Sequence, residues 1–370
     1  MSEAQHLPST QGEIPDGFSI EEGVRGERGP QAALFNACFT KDLTESDLSW
    51  RYEQNPYGES VNLLAREEAT GDLVSGYACN PRLAVADGAE AIVGQTGDVM
   101  THPARRKLGV FSHLDREAMR RTESAGWACV FGLPNWRSAH IFEALGWEVV
   151  GTVREWSLPL RLDAGAIARR RRVKRLASLR MPLERLKAAC GVKRISRALD
   201  SYEVRPLVGF PEEVTALSKR LEARYGFMVR RDPAYLTWRF QRGRSRLHRS
   251  FGIYDASGEF HGYVVVQLPR EGELHGFLVD LLAEGTARDA AMAAGIAALD
   301  YADASIVHSS AVDGSGWAQE LKAAGFSPAA DRNVMKIILH PHDGDHPVTQ
   351  AARRTSRWYF TDGDRDDETM

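Results

Sequence analysis

Apolar runs of strand length alternate with amphipathic, helix-like stretches along most of this chain. Residues 73–81 and 127–132 are nearly continuous apolar runs, which is typical of buried strands. Between such runs, apolar or small residues recur at helical spacing with charged residues between them, as at Phe111, Leu114, Ala118, Thr122 and Ala125. The alternation predicts an α/β chain, with a central mixed sheet flanked by helices.

The same order of elements occurs twice. Residues 48–52 (LSWRY) are echoed by residues 236–240 (LTWRF), and each copy precedes a strand, a turn and a second strand. Further pairs follow at an offset close to 180–190 residues: Gly76-Tyr77 with Gly262-Tyr263, Asp98 with Asp280, and Gly146-Trp147 with Gly325-Phe326. We therefore predict two similar domains, residues 17–160 and 200–340, with a strand near 334–339 completing the second sheet.

Three segments fall outside these two domains. Residues 1–16 are polar and are expected to be disordered. Residues 161–199 form a basic helical connector, which would be a solvated helix, a surface for anionic membrane lipid, or a site for an anionic substrate. Residues 341–370 form a polar, acidic C-terminal tail.

Composition narrows the class of protein only slightly. The chain has 370 residues, 43% of them hydrophobic and 26% charged, with a formal net charge of −3. These values are typical of a globular protein and indicate no nucleic-acid partner. No metal site is predicted, because the cysteines at 38, 79, 129 and 190 have no metal-binding spacing. No signal or membrane-spanning run is present, so a cytoplasmic location is expected. The oligomeric state is not determined.

Candidate chemistry concentrates in residues 98–111. A strand-like run ends in a turn at Pro103, three cations follow, and a helix is predicted to begin at Val110, after Gly109. The N–H groups and dipole at a helix N-terminus favour an anion, and glycine lets the backbone approach it closely. Neither a P-loop nor a dinucleotide-binding glycine pattern is present.

Two motifs here resemble those of one superfamily. The pattern Arg106-x-x-Gly109-x-Phe111 resembles the pyrophosphate loop of the GNAT acyl-CoA N-acyltransferases, Gln/Arg-x-x-Gly-x-Gly/Ala, with Phe111 departing from it. One strand later the superfamily carries Asn-x-x-Ala/Ser-x-x-x-Tyr-x-x-x-Gly-Phe. The chain matches this pattern at Asn135, Ser138, Gly146 and Trp147, and has Phe142 at the tyrosine position.

The resemblance implies two GNAT-like domains in tandem. In the C-terminal copy the loop after Asp280 has acidic residues at 284 and 289 and one local cation, Arg288, so that copy is expected to have lost CoA binding. The resemblance also implies acetyl-CoA, or another acyl-CoA, as co-substrate. The residues expected to bind it are Met100, Thr101, Arg105, Arg106, Lys107, Leu108, Gly109, Val110, Phe111, Asn135 and Ser138.

The implied reaction is transfer of an acyl group, with acetyl expected, to a primary amine. The acceptor would be a small molecule or carrier-linked, such as an amino sugar or a cell-envelope or polysaccharide precursor, and Trp50-Arg51 and Trp136 hint at a large or anionic one. Asp98 is the first candidate base and His102 the second.

Phe142 cannot act as the usual acid, which leaves Ser138, Tyr77 or a water. Two alternatives to an N-acyltransferase stay open. One is an inactive acyl-CoA-binding or partner-binding module on the same fold. The other is a peptidoglycan-type aminoacyl transferase, since such proteins also pair two domains.

Overall fold

The computed structural model describes residues 14–39, 41–135, 138–161, 188–241, 247–330 and 334–366. Within these ranges fifteen strands join one continuous mixed sheet. The strands are β1 Phe18–Glu22, β2 Val61–Glu67, β3 Leu73–Ala86, β4 Ala89–Thr101, β5 Cys129–Gly132, β6 Glu148–Pro159, β7 Glu203–Pro206, β8 Phe227–Val229, β9 His248–Tyr254, β10 Phe260–Gln267, β11 His275–Ala283, β12 Ile306–Val312, β13 Ser327–Pro328, β14 Val334–Pro341 and β15 Trp358–Tyr359.

Helices cover the faces of this sheet. They include α1 Gly29–Phe39, α2 Glu45–Glu53, α3 Val110–Ser124, α4 Ala139–Ala144, α5 Glu213–Glu222, α6 Pro233–Gln241, α7 Ala287–Tyr301, α8 Gly316–Ala323 and α9 Pro347–Ala352. Residues 188–196 are also helical. Short 3-10 turns lie at Pro103–Arg105, Arg197–Ser201, Thr355–Arg357 and Asp362–Asp364. Below, the first half means β1 to β6 and the second half means β7 to the C-terminus. Within the described ranges, none of the helices is long and apolar enough to cross a bilayer.

The sheet has internal symmetry that confirms the predicted repeat of elements. Its main strand order is β1-β2-β3-β4-β5-β14-β6-β12-β11-β10-β9-β7. The counterparts in the two halves are β1 and β7, β2 and β9, β3 and β10, β4 and β11, β5 and β12, and β6 and β14. When each strand is replaced by its counterpart, the order reads the same from the opposite end of the sheet. In both halves one parallel pair, β4 with β5 and β11 with β12, is hydrogen-bonded over only three residues of each strand. Beyond that short pairing the two strands diverge.

The prediction that the strand near 334–339 completes the second sheet is wrong. Strand β14 pairs with β5 and β6 of the first half, while β6 pairs with β12 of the second. The two halves therefore exchange their closing strands. The exchange gives the short, buried strand β5 a partner on its second side and leaves no edge in the middle of the sheet.

Two tryptophans join the halves at the centre. Trp50 on α2 and Trp238 on α6 stack with ring centroids 4.8 Å apart. Each indole N–H donates to the other residue's carbonyl oxygen, at 2.9 and 3.0 Å. Both are buried, so the expectation that Trp50 and its neighbour Arg51 contact an acceptor is wrong. Corresponding residues of the repeat instead form the contact between the halves.

We expect Trp50→Ala to lower the free energy of unfolding by about 3–5 kcal/mol, because it removes a buried indole and its hydrogen bond. Trp238→Ala should have a similar effect. The double variant should lose less unfolding free energy than the two single variants lose together, and the difference, the coupling energy, should be about 0.5–3 kcal/mol. Urea unfolding measures all three. Trp127→Ala is the control, since Trp127 packs in a separate core cluster. Equal coupling of Trp50 to Trp127 and to Trp238 would contradict this assignment.

The C-terminal segment is not the polar tail that its composition predicts. Residues 347–364 form α9, β15 and two turns, and the apolar side chains of this segment are buried, including Val348, Trp358 and Phe360. Its acids are also buried, because each has a partner: Asp364 pairs with Arg231, and Asp362 accepts a backbone N–H. Residues 1–13 and 162–187, which include most of the predicted disordered terminus and the basic connector, lie outside the described ranges.

Candidate acyl-CoA site

The loop between β4 and α3 has the geometry of an anion site. Lys107 and Gly109 both adopt left-handed backbone conformations, with φ of 68° and 82°. Gly109 is the N-cap residue of α3, and no side chain caps that helix end. The first N–H groups of a fifteen-residue helix therefore face the loop together with the positive end of its dipole.

The three predicted cations of this loop differ in their surroundings. Arg105 donates to both carboxylate oxygens of Glu67, at 2.9 and 2.8 Å, so its charge is already balanced. Arg106 and Lys107 are exposed, and the Nε of Arg106 donates to the carbonyl of Thr101 at 3.2 Å. Arg106 and Lys107 are therefore the two cations best placed to meet an added anion.

Phe111 occupies the position where a small residue is usual. Its ring lies 5.4 Å from that of Phe142 and 6.1 Å from that of Tyr77, within the core. Phe142 in turn packs edge-on against Trp147 at 5.2 Å. Phe111 and Phe142, the residues that depart from the two motifs, thus contact each other. Phe111 packs toward the core instead of the loop.

The other predicted binding residues surround this loop. Leu108 is exposed, whereas Val110 and Met100 are buried, so Met100 can offer a ligand little besides its backbone. The Oγ1 of Thr101 lies 2.9 Å from the Oγ of Ser75. On the neighbouring strand–helix connection, the Oδ1 of Asn135 accepts the N–H of Ser138 at 3.1 Å, just before α4.

Asp98 lies at an irregularity in β4. The register with β3 shifts between Gly97 and Met100, and Asp98 has a positive φ of 51°. Such a bulge leaves one residue of the strand outside the ladder of hydrogen bonds. Both carboxylate oxygens of Asp98 accept from Arg51, and the hydroxyl of Tyr52 donates to one of them at 2.6 Å. The structure places Asp98 as an anchor that holds α2 to the bulge.

Two of the other candidate proton carriers, His102 and Tyr77, already have hydrogen-bond partners. The Nδ1 of His102 accepts the N–H of Ala104 at 3.3 Å, which makes His102 the cap of the turn at Pro103–Arg105. Tyr77 is buried and donates to Asp115 at 2.8 Å. Burial, and then the Asp115 charge, raise the pKa of Tyr77 well above its usual value.

The C-terminal segment brings a carboxylate that the sequence analysis missed. A Cβ placed on Gly97 would lie only 2.7 Å from the Oδ2 of Asp366, so this carboxylate packs directly against β4 beside the bulge. The segment is held there by backbone contacts. Gln95 donates to the carbonyl of Asp364 at 2.6 Å, and Arg239 donates to that of Arg365 at 2.7 Å. The signal in the sequence was the aromatic run at 358–360 within a polar stretch.

In the second half, Thr361 and Asp362 of the same C-terminal segment lie between β11 and β12, the strands that correspond to β4 and β5. Thr361 donates to Asp280 at 2.7 Å, and the N–H of Ser310 on β12 donates to Asp362 at 2.7 Å. The segment thus bridges the diverging strands β11 and β12. Arg288, which follows that loop in the sequence, is buried and bound to Glu320, so it is a core residue.

One buried acid predicts a pH effect on stability. Burial raises the pKa of Asp115 from 3.8 to about 6, although Tyr77 and Trp147 donate to its carboxylate. A raised pKa means that the folded state binds the proton more tightly than the unfolded state does. This contribution to stability is therefore present below pH 3.8, declines as pH rises toward 6, and is gone above it.

The shift corresponds to roughly 3 kcal/mol. We expect the difference in unfolding free energy between wild type and Asp115→Asn, measured in urea, to change by about that amount between pH 4 and pH 7. The wild type should be relatively more stable at the acid end. A difference that does not vary with pH would contradict the raised pKa.

Comparisons with known proteins agree with this geometry. Residues 26–150 match the family model described as an acetyltransferase (GNAT) domain. No curated protein matches the sequence. A probable N-acyltransferase of unknown function from Enterococcus faecalis V583 has a TM-score of 0.61 at 13% identity, over 90% of this chain and 74% of its own.

Two further structures share the fold. A GCN5-related N-acetyltransferase from Anabaena variabilis ATCC 29413 has a TM-score of 0.60 at 12% identity, over 88% of this chain and 73% of its own. The N-myristoyltransferase of Saccharomyces cerevisiae, with bound myristoyl-CoA, has a TM-score of 0.57 at 12% identity, over 90% of this chain and 85% of its own. Residues 26–150 of this chain therefore match a GNAT acetyltransferase domain, and nearly the whole chain shares the fold of these three structures.

Proposed function

We propose that this protein transfers an acyl group, acetyl in the first instance, from acyl-CoA to a primary amine. The observation that carries the proposal is the uncapped N-terminus of α3 behind Lys107 and Gly109, next to the bulge in β4. The diphosphate of CoA would bind the α3 N–H groups and Arg106. Asn135 and Ser138, at the start of α4, would lie along the pantetheine arm.

The bulge at Asp98 gives the thioester a binding point. A backbone group released from the β3–β4 ladder can donate to the thioester carbonyl, and such a donor becomes more favourable as negative charge develops on that oxygen. The ion pair with Arg51 and the bond from Tyr52 fix the backbone at this point. The role we propose for Asp98 is therefore positioning, which differs from the base predicted from the sequence.

Asp366 is the carboxylate we assign as base. An amine is mostly protonated at neutral pH, and it must lose a proton before or during attack on the thioester. Asp366 is chosen because its carboxylate lies against Gly97, beside the bulge where the thioester would bind, while Asp98 fixes the backbone there through Arg51. The proton would pass from the amine to Asp366, directly or through a water. The thiolate of CoA would take its proton from water, since Phe142 carries none.

The acceptor is specified only as a primary amine. Amino sugars and polysaccharide precursors with amino groups are the first class to test, followed by amino acids and peptides. The test is release of thiol from acetyl-CoA by the full-length protein in the presence of each amine. Release that depends on one amine class, with an acylated product of the expected mass, supports the proposal. Tight CoA binding without thiol release for any amine would favour an inactive acyl-CoA-binding module instead.

A further inference from the structure

A chain of polar side chains crosses three adjacent strands where β6 of the first half meets β12 and β11 of the second. His275 is the first residue of β11, His308 lies on β12 and Glu155 on β6. The Nδ1 of His275 lies 2.8 Å from the Nε2 of His308, and the Nδ1 of His308 lies 3.1 Å from a carboxylate oxygen of Glu155. None of these three residues is among those assigned above to acyl transfer.

The carboxylate determines how the His308 ring is oriented. A carboxylate only accepts, so the Nδ1 of His308 must carry a proton and donate it to Glu155. That hydrogen bond also holds the pKa of Glu155 below its usual range. In the neutral ring the Nε2 then has a lone pair, and it points at His275. The ring of Phe277, 5.3 Å away, packs against His308 and restricts its rotation.

We propose that His275 and His308 bind a divalent transition cation of the zinc class. The Nδ1 of His275 and the Nε2 of His308 would be the protein ligands, and water would complete the coordination. Glu155 would act as the carboxylate that orients a metal-bound imidazole through its other nitrogen. His275 is exposed, so a cation can reach the pair from solvent.

The geometry requires only a small adjustment. The two nitrogens are 2.8 Å apart because they share one proton. A tetrahedral zinc ion with Zn–N distances of about 2.0–2.1 Å would hold them at roughly 3.3 Å. For a cation to bind, the proton between the two nitrogens would leave the Nδ1 of His275 and the Nε2 of the same ring would carry one, so that the ring stays neutral and both facing nitrogens present a lone pair. The change in the distance between the two nitrogens is about 0.5 Å.

A second cluster of possible metal ligands is not proposed as a zinc site, and it provides the control variant for the test. Asp255, Glu259 and His261 also lie close together in the second half. However, both ring nitrogens of His261 already contact carboxylates, Asp255 and Glu284, each at 3.2 Å. Burial lowers the pKa of His261, but these two hydrogen bonds outweigh it and raise the pKa. Neither ring nitrogen of His261 can therefore bind a metal without first losing its hydrogen bond to a carboxylate.

The test is calorimetric titration of the EDTA-treated, full-length protein with zinc chloride, repeated with cobalt chloride to record the absorption of the bound ion. We expect one saturable zinc site per chain. His275→Gln and His308→Gln should each abolish it, and Glu155→Gln should weaken it by about 10–100-fold. His261→Gln, the matched control, should bind zinc like the wild type. Circular dichroism and the metal-free melting temperature confirm that each variant folds.

Three outcomes would overturn the proposal. They are no saturable zinc binding by the wild type, equal binding by wild type and His308→Gln, or loss of binding only in His261→Gln. The readout does not involve acyl transfer, so it is independent of the proposed enzymatic function.

Discussion

Replacing Asp366 with asparagine is expected to lower kcat by about 10²-fold or more while leaving CoA affinity nearly unchanged. The carboxylate packs against Gly97 beside the proposed thioester position, whereas the diphosphate site is formed by α3 and Arg106. Asparagine keeps the size of the side chain but cannot take the amine's proton. Steady-state kinetics with a responsive amine, and calorimetry with CoA, measure the two effects separately.

Asp98→Asn should give a different result. Its carboxylate is buried and paired with Arg51, so the substitution removes the negative charge that faces a buried guanidinium. We expect a loss of about 3–5 kcal/mol in unfolding free energy, with activity falling in parallel. High pH should partly restore the activity of Asp366→Asn, because more of the amine is then neutral. It should not restore the activity of Asp98→Asn. His102→Gln should be mild. Full activity of Asp366→Asn, with rescue of Asp98→Asn by high pH, would return the role of base to Asp98.

The second large effect is expected at the anion loop. CoA at 100 times its dissociation constant should stabilise the wild type by about 2.7 kcal/mol, seen as a raised melting temperature. Gly109→Trp should abolish the shift, because the positive φ of Gly109 is strained for any other residue and the indole would cover the N–H groups of α3. Arg106→Glu should abolish it by placing a negative charge beside the diphosphate.

The matched control for Arg106→Glu lies in the second half. Arg220 is exposed and bonds to Glu284, in the loop that corresponds to the anion loop, so Arg220→Glu reverses the same charge at the equivalent place. It should leave the CoA-induced shift intact. Arg288 is unsuitable as a control because it is buried beneath aromatic rings and bound to Glu320. A shift that survives Gly109→Trp and disappears in Arg220→Glu would place CoA in the second half.

Much of the fold could be predicted because its pattern is local. The Trp50 and Trp238 motifs and the matched Gly-Tyr pairs identified corresponding elements in the two halves, and the structure confirms that correspondence. Strand exchange could not be predicted in the same way. The apolar strand β14 would pair equally well with β5 or β12 by sequence pattern, so its neighbour is decided by how the two halves pack.

The site was predictable where it depends on backbone conformation. Gly109, the following helix and the nearby cations indicated an anion loop, and the structure gives that loop a left-handed glycine and an uncapped helix. What could not be predicted depends on contacts between distant residues. Asp98 is paired with an arginine 47 residues earlier, and the C-terminal segment reaches β4 across 269 residues. Neither contact leaves a periodic signal in the sequence.

The most direct test of the central claim is the stoichiometry of CoA binding, measured by titration calorimetry on the full-length protein. The account places one acyl-CoA site in the first half and fills the corresponding place of the second half with Thr361 and Asp362. It predicts one CoA per chain, lost in Gly109→Trp and retained in Arg220→Glu. Two equivalent sites, or a single site that survives Gly109→Trp, would contradict it.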